Sequence, residues 1–119
     1  MNRMKLGMEF WIDYAHSLKG HLKCEPVHGH TAKILIEIEG EVRGGKTYQE
    51  NMIMDFADMK SICKEVLEKL DHKNLNELFE FPTSENITKW IFDELSKRLP
   101  VCKVAFYEGK GKWCTIEKV

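Results

Sequence analysis

Alternation marks the first third of the chain. Met8, Phe10, Ile12 and Tyr14 are apolar at every second position, and so are Ile34, Ile36 and Ile38. Two extended segments, about residues 6–15 and 31–42, therefore each turn one apolar face toward a core. Gly44-Gly45 supplies a turn, and a third extended segment is expected to run on through Met54, giving an antiparallel meander. The period then changes. Phe56, Met59, Ile62, Cys63, Val66, Leu67 and Leu70 recur at helical spacing behind Asp55, a good capping residue, which predicts a helix to about Leu70. After a polar segment at 71–76, Pro82-Thr83-Ser84-Glu85 reads as a second helix start, with Thr83 or Ser84 as the cap and Glu85 suited to the dipole. Ile87, Trp90, Ile91, Leu95 and Leu99 form its apolar face, and Pro100 ends it. Residues 101–107 and 113–118 are strand candidates joined through 108–112.

This order predicts an α+β fold: an antiparallel sheet with two helices packed on one face. Trp11, Leu35 and Trp113 fall on the opposite face, which points to burial against other copies of the chain. A length of 119 residues at 43% hydrophobic content supports one domain, 1–119, with a real core. With 18 basic and 19 acidic side chains and neither sign gathered into a block, nothing points to nucleic acid or a membrane surface as partner. Residues 1–5 lead into a strand pattern rather than an apolar leader, and no later run is long enough to span a bilayer, so a cytoplasmic location is expected. Cys63 lies on the helical stripe while Cys102 and Cys114 lie in strands, which suits free thiols in a reducing compartment. A bridge between Cys102 and Cys114 across the last hairpin stays open.

Histidines carry the first chemical signal. His28 and His30 are two apart at a strand's entry, so both rings project from one face; His16 closes the preceding strand, and a hairpin brings it to the same end. Three neutral nitrogens with no obvious fourth protein ligand describe a zinc site with one position open for chemistry. His21 lies mid-loop, where no strand aims it, and reads as exposed or supporting.

Cys24, in the loop between these histidines, is a nucleophile, a general base or a fourth ligand that would close the site, and neighbouring Glu25 could equally reach the metal. Asp71-His72 is either an oriented proton carrier or a helix terminus with a favourable histidine. Glu108, at a strand's end, could accept two parallel hydrogen bonds from an amino-substituted heterocycle, or be a solvated turn residue. Gly109-Lys110-Gly111-Lys112 lacks the spacing of a phosphate loop and reads as a hairpin turn.

Together these segments resemble the 6-pyruvoyltetrahydropterin synthase and 6-carboxytetrahydropterin synthase family over nearly the whole chain. The resemblance is carried by Ala15-His16, Cys24-Glu25-Pro26-Val27-His28-Gly29-His30, Met54-Asp55-Phe56, Leu70-Asp71-His72, Leu75-Asn76 and Pro82-Thr83-Ser84-Glu85-Asn86, in the family's order. It implies the tunnelling fold, in which copies of such a sheet close into a barrel, typically as a homohexamer built from two trimers with active sites between subunits. It implies further that His16, His28 and His30 bind zinc, that Cys24 is the base, and that Asp71, His72 and Glu108 form a relay around it. Glu108 would also anchor the pterin, helped by Thr83 and Ser84.

The implied substrate is 7,8-dihydroneopterin triphosphate, with Lys19, Lys23 and Lys110 as candidate partners of its phosphates. The short C-x-x-x-H-G-H spacing is similar to the branch that forms 6-carboxytetrahydropterin, acetaldehyde and triphosphate, on the way to 7-deazaguanine nucleosides such as queuosine. Pyruvoyl-forming synthesis, aldolase-like cleavage and noncatalytic pterin binding are the alternatives. Three departures stand out: the bulk of Trp11-Ile12-Asp13-Tyr14 before Ala15-His16, Gly109 in place of a threonine after Glu108, and Glu25 beside Cys24.

Overall fold

In the computed structural model, which describes residues 2–23 and 25–119, the two alternating segments form longer strands than the pattern predicts. β1 spans Arg3–His16 and β2 spans His28–Glu41, paired antiparallel along their full length from Arg3↔Glu41 to His16↔His28. The H-G-H segment thus belongs to β2 itself. β4 (Val101–Tyr107) pairs with β2, and β5 (Trp113–Glu117) with β4, both antiparallel. A two-residue β3 (Lys73–Asn74) lies parallel to β1 at Tyr14 and Ala15, so the order is β3-β1-β2-β4-β5 and the sheet is mixed rather than purely antiparallel.

The expected third strand through Met54 is absent. In its place is a loop with a short 3₁₀ turn at Gln49–Asn51. Its backbone is satisfied locally: the Asn51 amide donates to the carbonyls of Gly45 and Thr47, and the Glu50 carboxylate accepts from the Thr47 hydroxyl. A segment that closes on itself in this way needs no sheet partner.

Helix α1 spans Phe56–Leu67, with Asp55 capping through the Ala57 N–H at 2.7 Å, and α2 spans Ser84–Ser96. Both pack on one face of the sheet, where Phe10, Ile12, Tyr14, Ala32, Ile34, Ile36, Ile38, Val104 and Phe106 meet Met59, Cys63, Val66, Ile87, Ile91 and Leu95 in one core. On the other face Trp11 and Trp113 are exposed. A register shift at Glu37/Ile38 pairs Ile38 with Val101 and Glu37 with Lys103, leaving Cys102 as the extra residue. Cys114 stands opposite Phe106, four residues from Cys102, so roughly 13 Å of strand separates the two thiols and no bridge forms.

Candidate functional site

The β1–β2 register sets His16 directly opposite His28, and His30 opposite Tyr14, all at the end of the sheet where α2 begins. One ring nitrogen from each of His16, His28 and His30 lies within 4.8 Å of the others. His16 is fully buried, and its Nδ1–H donates to the Pro82 carbonyl at 2.8 Å; the His28 Nδ1–H donates to the Pro26 carbonyl, also at 2.8 Å. A carbonyl can only accept, so both protons sit on Nδ1 and both Nε2 atoms carry lone pairs.

Those two Nε2 atoms face one another at 3.1 Å. Two lone pairs at that distance repel unless a cation lies between them. His30 Nε2 is buried and, among the described residues, makes no hydrogen bond. Burial, opposed in part by the Glu108 charge, holds the His30 pKa below the usual histidine value and favours the neutral ring. Three imidazoles, two of them held through Nδ1 by outer carbonyls and a third with an orphaned nitrogen, fit a divalent zinc-type ion.

Glu108 follows β4 and completes this end of the sheet. Its Oε1 lies 3.4 Å from His30 Nε2, and its Oε2 accepts the Ser84 hydroxyl at 2.6 Å. Ser84 is the first residue of α2, where the helix dipole favours a carboxylate nearby. Thr83 is the cap: its hydroxyl accepts the Asn86 N–H at 3.2 Å. A pocket of about 240 Å³ opens beside Glu108, lined by Ser84, Glu85, Lys112, Trp113 and Cys114. Tyr14 packs edge-on against His16 with ring centroids 5.2 Å apart, and tilted against His30 at 5.5 Å.

Asp71 and His72 form a separate cluster around Asp13. The Asp71 Oδ1 accepts the Asp13 N–H at 2.9 Å and lies 3.1 Å from His72 Nδ1, while the His72 N–H donates to the Asp13 carbonyl at 2.6 Å. His72 holds φ at +60°, unusual for a non-glycine residue, as the chain reverses from α1 into β3. Asp13 is exposed, whereas Tyr14 and Ile12, its neighbours along β1, face the core. One chain therefore brings His16, His28, His30, Glu108 and Ser84 together, and places Asp71 and His72 in a second group of acidic and imidazole side chains.

Cys24, the expected base, lies outside the described residues. Glu25 is exposed and its Oε2 accepts the Gly20 N–H at 3.0 Å. His21 is exposed, with Nδ1 accepting from the Lys23 N–H, and is no member of the cluster. The carbonyls of Pro26 and Pro82 and the ring of Tyr14 were not legible as parts of the site. Only the unusual bulk at Tyr14 hinted at one of them.

Among the described residues no helix is long and apolar enough to cross a membrane. The profile of the 6-pyruvoyl tetrahydropterin synthase family matches residues 5–119. The chain is 44% identical over 116 residues, covering 97% of itself and 96% of the relative, to a putative 6-carboxy-5,6,7,8-tetrahydropterin synthase of Archaeoglobus fulgidus. It is 39% identical to the dihydroneopterin monophosphate aldolase of Pyrococcus furiosus, over 82% of this chain and 83% of that one. The Caenorhabditis elegans 6-pyruvoyl tetrahydropterin synthase superposes with a TM-score of 0.86 at 24% identity, covering 100% of this chain and 98% of that one. That likeness gives the fold, a tunnelling-type open sheet with two helices on one face; profile and sequence identity together show that the chain belongs to the 6-pyruvoyl tetrahydropterin synthase family.

Proposed function

We propose that this chain is a single-domain, zinc-dependent 6-carboxy-5,6,7,8-tetrahydropterin synthase of the cytoplasm, converting 7,8-dihydroneopterin triphosphate to 6-carboxytetrahydropterin, acetaldehyde and triphosphate for 7-deazaguanine synthesis. The observation that carries the reaction class is the convergence of one ring nitrogen each from His16, His28 and His30, with the Glu108 carboxylate 3.4 Å from His30. The choice of product rests on the 44% identity to the Archaeoglobus relative.

His16, His28 and His30 would hold the zinc, which supplies Lewis acidity toward the hydroxyls of the substrate side chain. Glu108 accepts the N–H groups of the pterin amino edge as it would a guanidinium, with Ser84 fixing the carboxylate and Thr83 fixing the start of α2. Cys24 takes the side-chain proton. Asp71 orients His72, and this pair serves the site of a neighbouring subunit, since within one chain it stands apart from the histidine cluster. The 240 Å³ pocket falls short of the roughly 300–1,000 Å³ typical of an enclosed ligand site, which fits walls completed by a second copy in a homohexamer.

The test is product analysis. Purified zinc-loaded protein incubated with 7,8-dihydroneopterin triphosphate should yield 6-carboxytetrahydropterin and acetaldehyde by mass, and unchanged substrate would refute the proposal. Cys24→Ala should lose turnover and keep its metal, whereas a noncatalytic pterin-binding protein would keep every property. The Pyrococcus relative favours a second reading, cleavage of dihydroneopterin monophosphate to 6-hydroxymethyldihydropterin. Incubation with that monophosphate separates the two. Glu25 engages the Gly20 N–H within its own loop, which favours Cys24 over Glu25 as the base.

A further inference from the structure

Tyr14 is a buried polar side chain that the proposed chemistry leaves unused. Its ring leans from β1 past β2 to reach Phe106 on β4 at a centroid distance of 5.8 Å, although strands lie about 4.8 Å apart and a whole strand intervenes. Ala32, on the core face of β2 two residues beyond His30, is small enough to leave that room. Tyr14 is only 4% exposed, and among the described residues its hydroxyl has no hydrogen-bond partner.

A phenylalanine would make the same contacts with His16, His30 and Phe106, so packing accounts for the ring and not for the oxygen. An ordinary phenol ionises only near pH 10, so near neutral pH the hydroxyl keeps its proton and is available as a donor. The orphaned hydroxyl thus belongs to a ring packed on His30, whose own orphaned Nε2 lies 3.4 Å from Glu108 Oε1. There Glu108 can accept and Tyr14 can donate, and a ligand that satisfies both carries N–H groups beside an acceptor atom, as an amino-oxo heterocycle does.

We propose that the Tyr14 hydroxyl is a specificity-determining donor that binds an acceptor atom of the heterocycle whose N–H groups Glu108 accepts. This deepens the pterin reading and rests on it. The experiment is fluorescence titration of unsubstituted pterin, which has no side chain to react, into metal-loaded wild type and Tyr14→Phe, with metal content and Tm measured on both. Tyr14→Phe should bind pterin about tenfold more weakly, keep its metal and melt no lower than wild type. Equal pterin affinity in the two proteins overturns the assignment. So does a lowered Tm with unchanged affinity, the signature of a hydroxyl bonded within the fold. If wild type itself fails to bind pterin, the pterin reading falls and this inference with it.

Discussion

Cys63 is fully buried on the inner face of α1, and burial pushes its thiol from 9.0 up to about 11. A folded-state pKa raised above the unfolded one contributes stability that is whole below pH 9 and is lost as pH climbs from 9.0 toward 11. The denaturant midpoint followed by circular dichroism should therefore fall over that window in wild type and fall less in Cys63→Val; parallel profiles would show that the thiol is not the cause. At the histidine cluster, the structure separates the proposed ligation from support of the fold. His16→Ala removes a fully buried ring and its bond to Pro82, and should cost about 2 kcal/mol even without metal, whereas His28→Ala, only half-buried, should stay within about 1 kcal/mol. Both should lose the ion in quantitative metal analysis. The histidine pattern was readable because a strand's period of two aims His28 and His30 together. The tautomers were not, because the carbonyl that fixes His16 comes from 66 residues away. Gly109 illustrates the same gap: it holds φ at +80° in the β4–β5 turn, so the glycine that looked like a departure from the family is what that turn requires.

Elements with local signals were legible and those made by tertiary partners were not. α2 was marked by Pro82, Thr83 and Glu85, and its cap forms as expected. β3 is two residues long and exists because the reversal at His72 lays Lys73 and Asn74 beside β1, a placement no propensity encodes. The 42–54 segment failed as a strand because its side chains satisfy its own backbone. Thr83 tests how far the site depends on an element's end. It stands between Pro82, which holds His16, and Ser84, which holds Glu108. Thr83→Ala should lower stability by about 1 kcal/mol, as loss of an N-cap does, and should also weaken metal binding in a competitive chelator titration. A stability loss with unchanged metal affinity would show that the cap supports the helix and not the site.

The chain is elongated, 58 × 26 × 24 Å, because the β1–β2 hairpin carries 14 residues per strand, about 46 Å at the usual rise. A row of Trp11, Lys33, Tyr107 and Trp113 runs across the sheet face away from the helices in continuous register, with the Lys33 ammonium 4.5 Å from the Tyr107 ring centre. Trp11 and Trp113 remain 63% and 62% exposed there. Among the described residues β1 has a free edge beyond its short pairing with β3, and exposed edges and aromatic rows are surfaces that association with like copies can cover. On the proposed reading, association also brings Asp71 and His72 of one copy to the histidine cluster of the next. That arrangement has a consequence a self-contained site lacks. Cys24→Ala and His72→Ala are each expected to be inactive, yet co-expressed they form mixed assemblies in which some interfaces pair the intact Cys24 of one copy with the intact His72 of another. Random mixing restores about a quarter of the wild-type sites. Activity assayed on the co-purified mixture against each parent decides the matter, since a site built within one chain would give no recovery at any ratio. Trp113→Glu, made in the wild-type background, should shift sedimentation toward the monomer and remove activity while the metal is retained, because on the proposed reading the three ligands come from one chain and the relay from its neighbour.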